Sequence, residues 1–214
     1  MTERALLRGR AAPLPTPNLD TDQIMPKQFL RGIDKSGLKE GLLHDLRFDG
    51  EGRARPGFVL NQSAYQAADM LLAGPNFGCG SSREHAVWGL QQFGFKAIVA
   101  SSFAEIFYSN ALGSGLLLAT VPAADAQAFM QEAQATPEPL TLTIDVQNRA
   151  VHSPGHSAAF SLSDRHQRMF LQGLDTLGAS LRSRPAIERF AQAHWQRAPW
   201  LHDVAARMRQ AAIA

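Results

Sequence analysis

The chain has 214 residues, of which 45% are hydrophobic and 19% charged, a balance that suits a globular protein and excludes the low-hydrophobicity, high-charge class of disordered chains. Its formal net charge of +2 is unevenly spread, with 12 Lys and Arg against 15 Asp and Glu in residues 1–146 and 9 against 4 in residues 147–214. The one cysteine, Cys79, excludes an internal disulfide and a thiolate-held iron–sulfur cluster, and arginines strung along a helix do not make a nucleic-acid face despite a pI near 9.0.

At the start of the chain, MTERALLRGRAAPLP holds only Leu6 and Leu7 between arginines, too little for a signal peptide, and no apolar run is long enough for a bilayer. The expectation is a soluble, cytoplasmic chain, away from membranes, that folds as one domain over residues 1–214 around a single core. Residues 31–52 carry Gly32, Gly37, Gly41, Gly50 and Gly52 with Ile33, Leu38, Leu42 and Leu43 between them. Glycines cost order and leucines seek cover, so a mobile loop is expected there.

Met70 to Leu72 is a short apolar run ending at Gly74 and Pro75, which predicts a buried strand entering a turn. The glycine-rich loop Gly74–Gly80 follows. Ser81 and Glu84 have the spacing of a capping box, predicting a helix whose inner face is Ala86, Val87, Leu90 and Phe93 and whose end is Gly94. Ala97 to Ala100 is a continuous apolar run, as expected of a strand covered on both faces, so strand, helix and strand predict a parallel, right-handed crossover. A second helix over 103–111, a buried strand over 116–121 and a helix over 123–135 come next. Leu140, Leu142, Ile144 and Val146 then alternate with polar residues, the pattern of a half-exposed strand. Asp164 opens a predicted helix that ends at Gly173, and Pro185 suits the first turn of another running to about Gln196, within a helical tail over 182–214.

The loop and helix start GCGSSREHAVW, Gly78 to Trp88, read chemically as an anion site. Glycines such as Gly80 let the backbone approach a ligand, a helix start aims N–H groups and partial positive charge at it, and Ser81, Ser82 and Arg83 add hydroxyls and a guanidinium fork. A di- or tricarboxylate suits such a site. The structural alternative makes Ser81 an N-cap and Arg83 a surface residue, though a cation in the first turn opposes the helix dipole. Cys79 and His85 could also make a thiol nucleophile, without a third group to orient the imidazole. G-x-S-x-G and the Walker pattern are absent.

Four segments resemble the small-subunit family of isopropylmalate dehydratase, the counterpart of the swivelling C-terminal domain of aconitase: NLDTDQIMPKQFL (18–30), NFGCGSSREHAVWGL (76–90), FAEIFYSNALGSGLL (103–117) and GLDTLG (173–178). The resemblance implies an α/β fold of β/β/α swivel type, with a mixed sheet and parallel crossover units. It implies a hydro-lyase that isomerises 2-isopropylmalate to 3-isopropylmalate in leucine biosynthesis, inactive alone, with a [4Fe-4S] cluster held by a large partner subunit and no metal or cofactor held by this chain. By carry-over, Ser81 is the base that removes the carbon-bound proton and Arg83 holds a substrate carboxylate. Gly80, Ser82 and Lys27 join the substrate site, and Asp22 stands near the cluster, either orienting a partner histidine or capping a turn. Ile33, Leu38 and Leu43 are candidates for reading the substrate's alkyl group. A citraconate, methylmalate or homoaconitate hydratase subunit is the family alternative; a stand-alone carboxylate-binding module or a cysteine hydrolase is the alternative from another class.

Overall fold

The continuous apolar runs and the alternating one become the two halves of one mixed sheet. The computed structural model describes the backbone of residues 4–30 and 36–213. Along the chain run β1 (Leu6–Leu14), α1 (Thr21–Ile24), α2 (Leu38–Gly41), α3 (His44–Arg47), β2 (Met70–Ala73), α4 (Glu84–Phe93), β3 (Ala97–Ala100), α5 (Glu105–Gly113), β4 (Leu117–Thr120), α6 (Ala123–Gln134), β5 (Leu140–Asp145), β6 (Ala150–His152), β7 (Ser157–Ala159) and α7 (Asp164–Gln172). The strand order is β4-β3-β2-β1-β5-β6-β7. Strands β1 to β4 pair in parallel, whereas β5 pairs antiparallel with β1, β6 with β5 and β7 with β6.

Strand periodicity divides the interior in two, because successive side chains point to opposite faces. Leu71, Ile98 and Leu118 join one apolar cluster, closed by Ala86, Val87 and Leu90 of α4. Met70, Leu72, Ala97, Val99 and Leu117 join the other, with Phe129 and Ala133 of α6 and Phe170 of α7. The single core expected from composition is therefore two, separated by the sheet. In β5 only Leu140, Leu142 and Ile144 face a core, and the threonines between them are less buried, which is why that strand alternates.

Strand β1, unannounced by the N-terminal sequence, is central. Its first half, Leu6 to Arg10, pairs with β5, and Ala11 to Leu14 pair with β2. Asp69 ties the entrance together: its carboxylate accepts from Arg10 N–H at 2.8 Å and from Lys96 Nζ at 2.9 Å.

Residues 36–52 differ from the expected mobile loop, forming the single turns α2 and α3. Leu38 is 3% exposed, and Leu42 and Leu43 are fully buried in the core beneath α4. The leucines have found their cover within the chain. Burial lowers the pKa of Arg47 here, against the opposing charge of Glu40.

By its internal packing the chain divides into two compact units, Met1–Asp175 and Thr176–Ala214, where the sequence alone suggests one domain with a tail from residue 182. The second unit holds α8 (Thr176–Leu181), α9 (Arg184–Arg197) and α10 (Val204–Ile213). Pro185 lies in the first turn of α9 as predicted. Leu177, Phe190, Trp200 and Met208 are each more than 60% exposed.

Candidate active site

The parallel pairing of the strands continues into the loops beyond their C-terminal ends, and this brings the predicted residues together. Beyond β1 and β2, Asn18 N–H donates to Pro75 O (2.9 Å), Gly78 N–H to Leu19 O (2.8 Å) and Thr21 N–H to Cys79 O (2.8 Å). Beyond β2 and β3, Ala104 N–H donates to Phe77 O at 3.0 Å. Phe77, 1% exposed, anchors the glycine-rich loop from below by edge contacts with Phe103 and Phe107. Gly78 rests on that ring in the left-handed region (φ 78°), and a Cβ there would lie 2.2 Å from Phe107 Cγ. No other residue type fits without displacing the loop. The Tyr108 ring lies against Phe103, and burial raises the pKa of its phenol.

Helix α1 is fixed by its own ends. Asp20 Oδ1 accepts from Gln23 N–H at 2.7 Å, and Gln23 Oε1 accepts from Asp20 N–H at 3.1 Å, a reciprocal cap. Thr21, the first helical residue, is 1% exposed and faces the loop carrying Ser81. Its Oγ1 accepts from Ser81 N–H (3.1 Å), donates to Ser81 O (2.9 Å) and lies 3.3 Å from Ser81 Oγ. Asp22, the next residue, forms an ion pair with Arg83 Nη1, which also donates to Met25 O at 3.4 Å.

Three of the predicted residues, Ser81, Arg83 and Asp22, therefore share one small region, reached from two loops. Gly80 (φ 96°) precedes Ser81 and brings its backbone close to Thr21. Ser81 and Ser82 are exposed, while Arg83 has 20% of its side chain open to solvent. Lys27 is exposed at the start of a 3-10 turn. Leu38 and Leu43 lie in the core, so reaching a ligand requires them to leave it. Ile33 lies outside the described residues.

The helix start differs from the prediction. Helix α4 begins at Glu84 with Arg83 as its N-cap residue and no side-chain cap, so Ser81 does not cap it. Instead Arg83 N–H donates to Ser81 O at 2.8 Å, closing a tight turn that leaves the serine hydroxyl beside Thr21. The cation near the helix start is balanced within the chain by Asp22. Gly94 does end α4 (φ 121°), donating to Leu90 and Gln91 carbonyls; Ser163, rather than Asp164, caps α7. Cys79 donates to Asn18 O at 3.3 Å and the His85 ring packs on Trp88, so thiol and imidazole are each engaged with another partner. Thr21 was not legible as a site residue: nothing local marks it out between two aspartates, and only its contact with Ser81 across 60 positions does.

The description "Aconitase C-terminal domain" matches residues 2–124. The chain is 57% identical to the 3-isopropylmalate dehydratase small subunit 1 of Chromobacterium violaceum over 205 residues, covering 96% of each chain. The chain belongs to the 3-isopropylmalate dehydratase small-subunit family. A further small-subunit relative, from Phenylobacterium zucineum, is 43% identical over 91% of this chain and 96% of its own length. The crystal structure of 3-isopropylmalate dehydratase from Methanocaldococcus jannaschii superposes with a TM-score of 0.61 at 26% identity, covering 87% of this chain and 99% of that one. For this small-subunit family member the expected α/β fold of the aconitase C-terminal type, with its mixed sheet, holds. Among the described residues no group of three or more His, Cys, Asp or Glu is placed to hold a metal ion, and no helix is long and apolar enough to cross a membrane.

Proposed function

We propose that this chain is the small subunit of a cytoplasmic hydro-lyase that converts 2-isopropylmalate to 3-isopropylmalate by dehydration and rehydration in leucine biosynthesis. The names of its relatives support the reaction, and the meeting of Ser81, Arg83 and Asp22 supports the division of labour. A [4Fe-4S] cluster requires several thiolates; with one cysteine, and that one bonded to Asn18 O, this chain does not fit it, and the large partner subunit is its holder. When bound there, the cluster supplies a Lewis acid for the substrate's hydroxyl and carboxylate.

This chain's own contribution is acid–base and positional. Ser81 takes the proton from carbon, and Arg83 grips a carboxylate of the dicarboxylate substrate with Ser82 and the Gly80 backbone beside it. Asp22 holds the guanidinium in orientation. A serine hydroxyl is a weak base, so its deprotonated form needs fixed donors around it in a site from which docking excludes water. The start of the ten-residue helix α4 contributes partial positive charge from the same side. Lys27 belongs to the proposed substrate site, and Ile33, with Leu38 and Leu43 once they leave the core, are the proposed readers of the alkyl group.

The test is co-expression with the cognate large subunit, anaerobic cluster reconstitution and comparison of alkylmalates. Ser81→Ala is expected to assemble normally and to lose about 10³-fold or more in kcat. An active Ser81→Ala complex overturns the assignment of the base, and a preference for methylmalate overturns the substrate.

A further inference from the structure

Thr21 is the only buried polar or charged side chain among the described residues, and its hydroxyl is spent wholly on Ser81. A threonine placed at 1% exposure against the proposed base calls for a reason. One hydroxyl has one proton and two acceptor sites. At rest the Thr21 proton goes to Ser81 O at 2.9 Å, one acceptor site takes Ser81 N–H at 3.1 Å, and Ser81 Oγ lies 3.3 Å away. With the serine neutral, its own O–H can donate to the remaining acceptor site on Thr21.

We infer that Thr21 is a positioning residue that holds Ser81 at both ends of its main chain and, when the exposed serine has given its proton to solvent, turns its own O–H onto the alkoxide. The inference rests on the reading of Ser81 as the base. No bond to Thr21 forms or breaks. Its hydrogen rotates about Cβ–Oγ1 from the carbonyl to Ser81 Oγ, and the carbonyl keeps the second donor it already has, Arg83 N–H at 2.8 Å. That second donor matters, because it lets Thr21 swing without leaving a buried acceptor unpaired. A hydrogen bond to an anion is shorter and about twice as strong as one between neutral groups, and burial of Thr21 removes the competing water. Arg83 thus has two tasks in one residue: its side chain pairs with Asp22, and its amide covers for Thr21.

The experiment uses the reconstituted complex with 3-isopropylmalate as substrate, and compares Thr21→Val, Thr21→Ser and Ser81→Ala with Thr21→Val combined with Ser81→Ala. Thr21→Val is expected to lower kcat by about 10²-fold, the loss of one oxyanion donor, with KM changed less than about threefold. The acidic limb of its kcat–pH profile should move to higher pH, because the serine gives up its proton less readily. Thr21→Ser, which keeps the hydroxyl, should recover turnover to within about threefold of the natural protein with the acidic limb unmoved. In the Ser81→Ala background Thr21→Val should add nothing, since a residue that acts through Ser81 has nothing left to act on. The inference is overturned by a Thr21→Val complex with ordinary kcat, or by losses that multiply in the double variant. If Thr21→Val fails to assemble, Thr21→Ser still decides: a tenfold or greater fall in kcat with the hydroxyl present overturns it. An active Ser81→Ala complex instead refutes the base itself, so the two failures are distinguishable.

Discussion

The two halves of the sheet are built from the same strand physics and do different work. In the parallel half, β2, β3 and β4 are covered on both faces, every strand ends at the same rim, and the loops beyond that rim pair with one another as the strands did. In the antiparallel half, β5 to β7 are joined by short turns and only one face of β5 meets a core. Loops from neighbouring parallel strands emerge side by side, so residues as distant as Thr21 and Ser81 can meet. Antiparallel hairpins send successive loops to opposite ends and gather nothing.

If the contrast is sound, substitutions in the antiparallel half should cost stability and spare turnover. Ile144→Ala, at a fully buried site in β5, is expected to lower unfolding free energy by about 2–5 kcal/mol, measured by urea denaturation of the isolated chain, with kcat of the assembled enzyme unchanged. A loss of kcat would break the comparison. At the opposite rim Gly78→Ala should do both kinds of harm. The left-handed backbone and the contact with Phe107 together cost about 2–4 kcal/mol, and displacement of the loop should reduce turnover as well as thermal stability.

The smallest effect concerns the β5–β6 turn. Asn148 N–H and Nδ2 donate to the Asp145 carboxylate at 2.9 and 2.7 Å and hold its pKa below the ordinary carboxylate range. A depressed folded pKa adds stability that is present above the unfolded value and lost as pH falls through the folded one. Asn148→Ala, which removes the side-chain donor and keeps the amide, should therefore lower stability slightly at pH 7 and make no difference once pH has fallen below the folded pKa, measured by urea denaturation at the two pH values.

Much of this was legible in the residues because burial writes itself into sequence. Ala97 to Ala100 is apolar throughout since both its faces are covered, and the alternation from Leu140 reports one covered face. Strand β1 was illegible for the same reason inverted: Arg8 and Arg10 are exposed and Gly9 sits against Asp69, so no run or clean alternation survives. At the site, Ser81 and Arg83 stood out by their chemistry beside glycines. The helix start was misplaced by two residues, from a cap at Ser81 to one at Arg83, because the serine hydroxyl that would cap α4 lies against Thr21, a partner no local pattern reveals. Leu38 and Leu43 read as candidates for a ligand's alkyl group since exposed and buried leucines look alike in a glycine-rich segment.

The glycine-rich loop after β2 is bonded at Pro75, Gly78, Cys79 and Ser81 to residues 18–21. It is therefore not a transferable cassette. Grafting residues 74–83 alone onto another scaffold would carry the serine and arginine across but leave behind the threonine and aspartate that hold them, so a transplant has to move both segments in register, together with the two parallel strands that set their spacing.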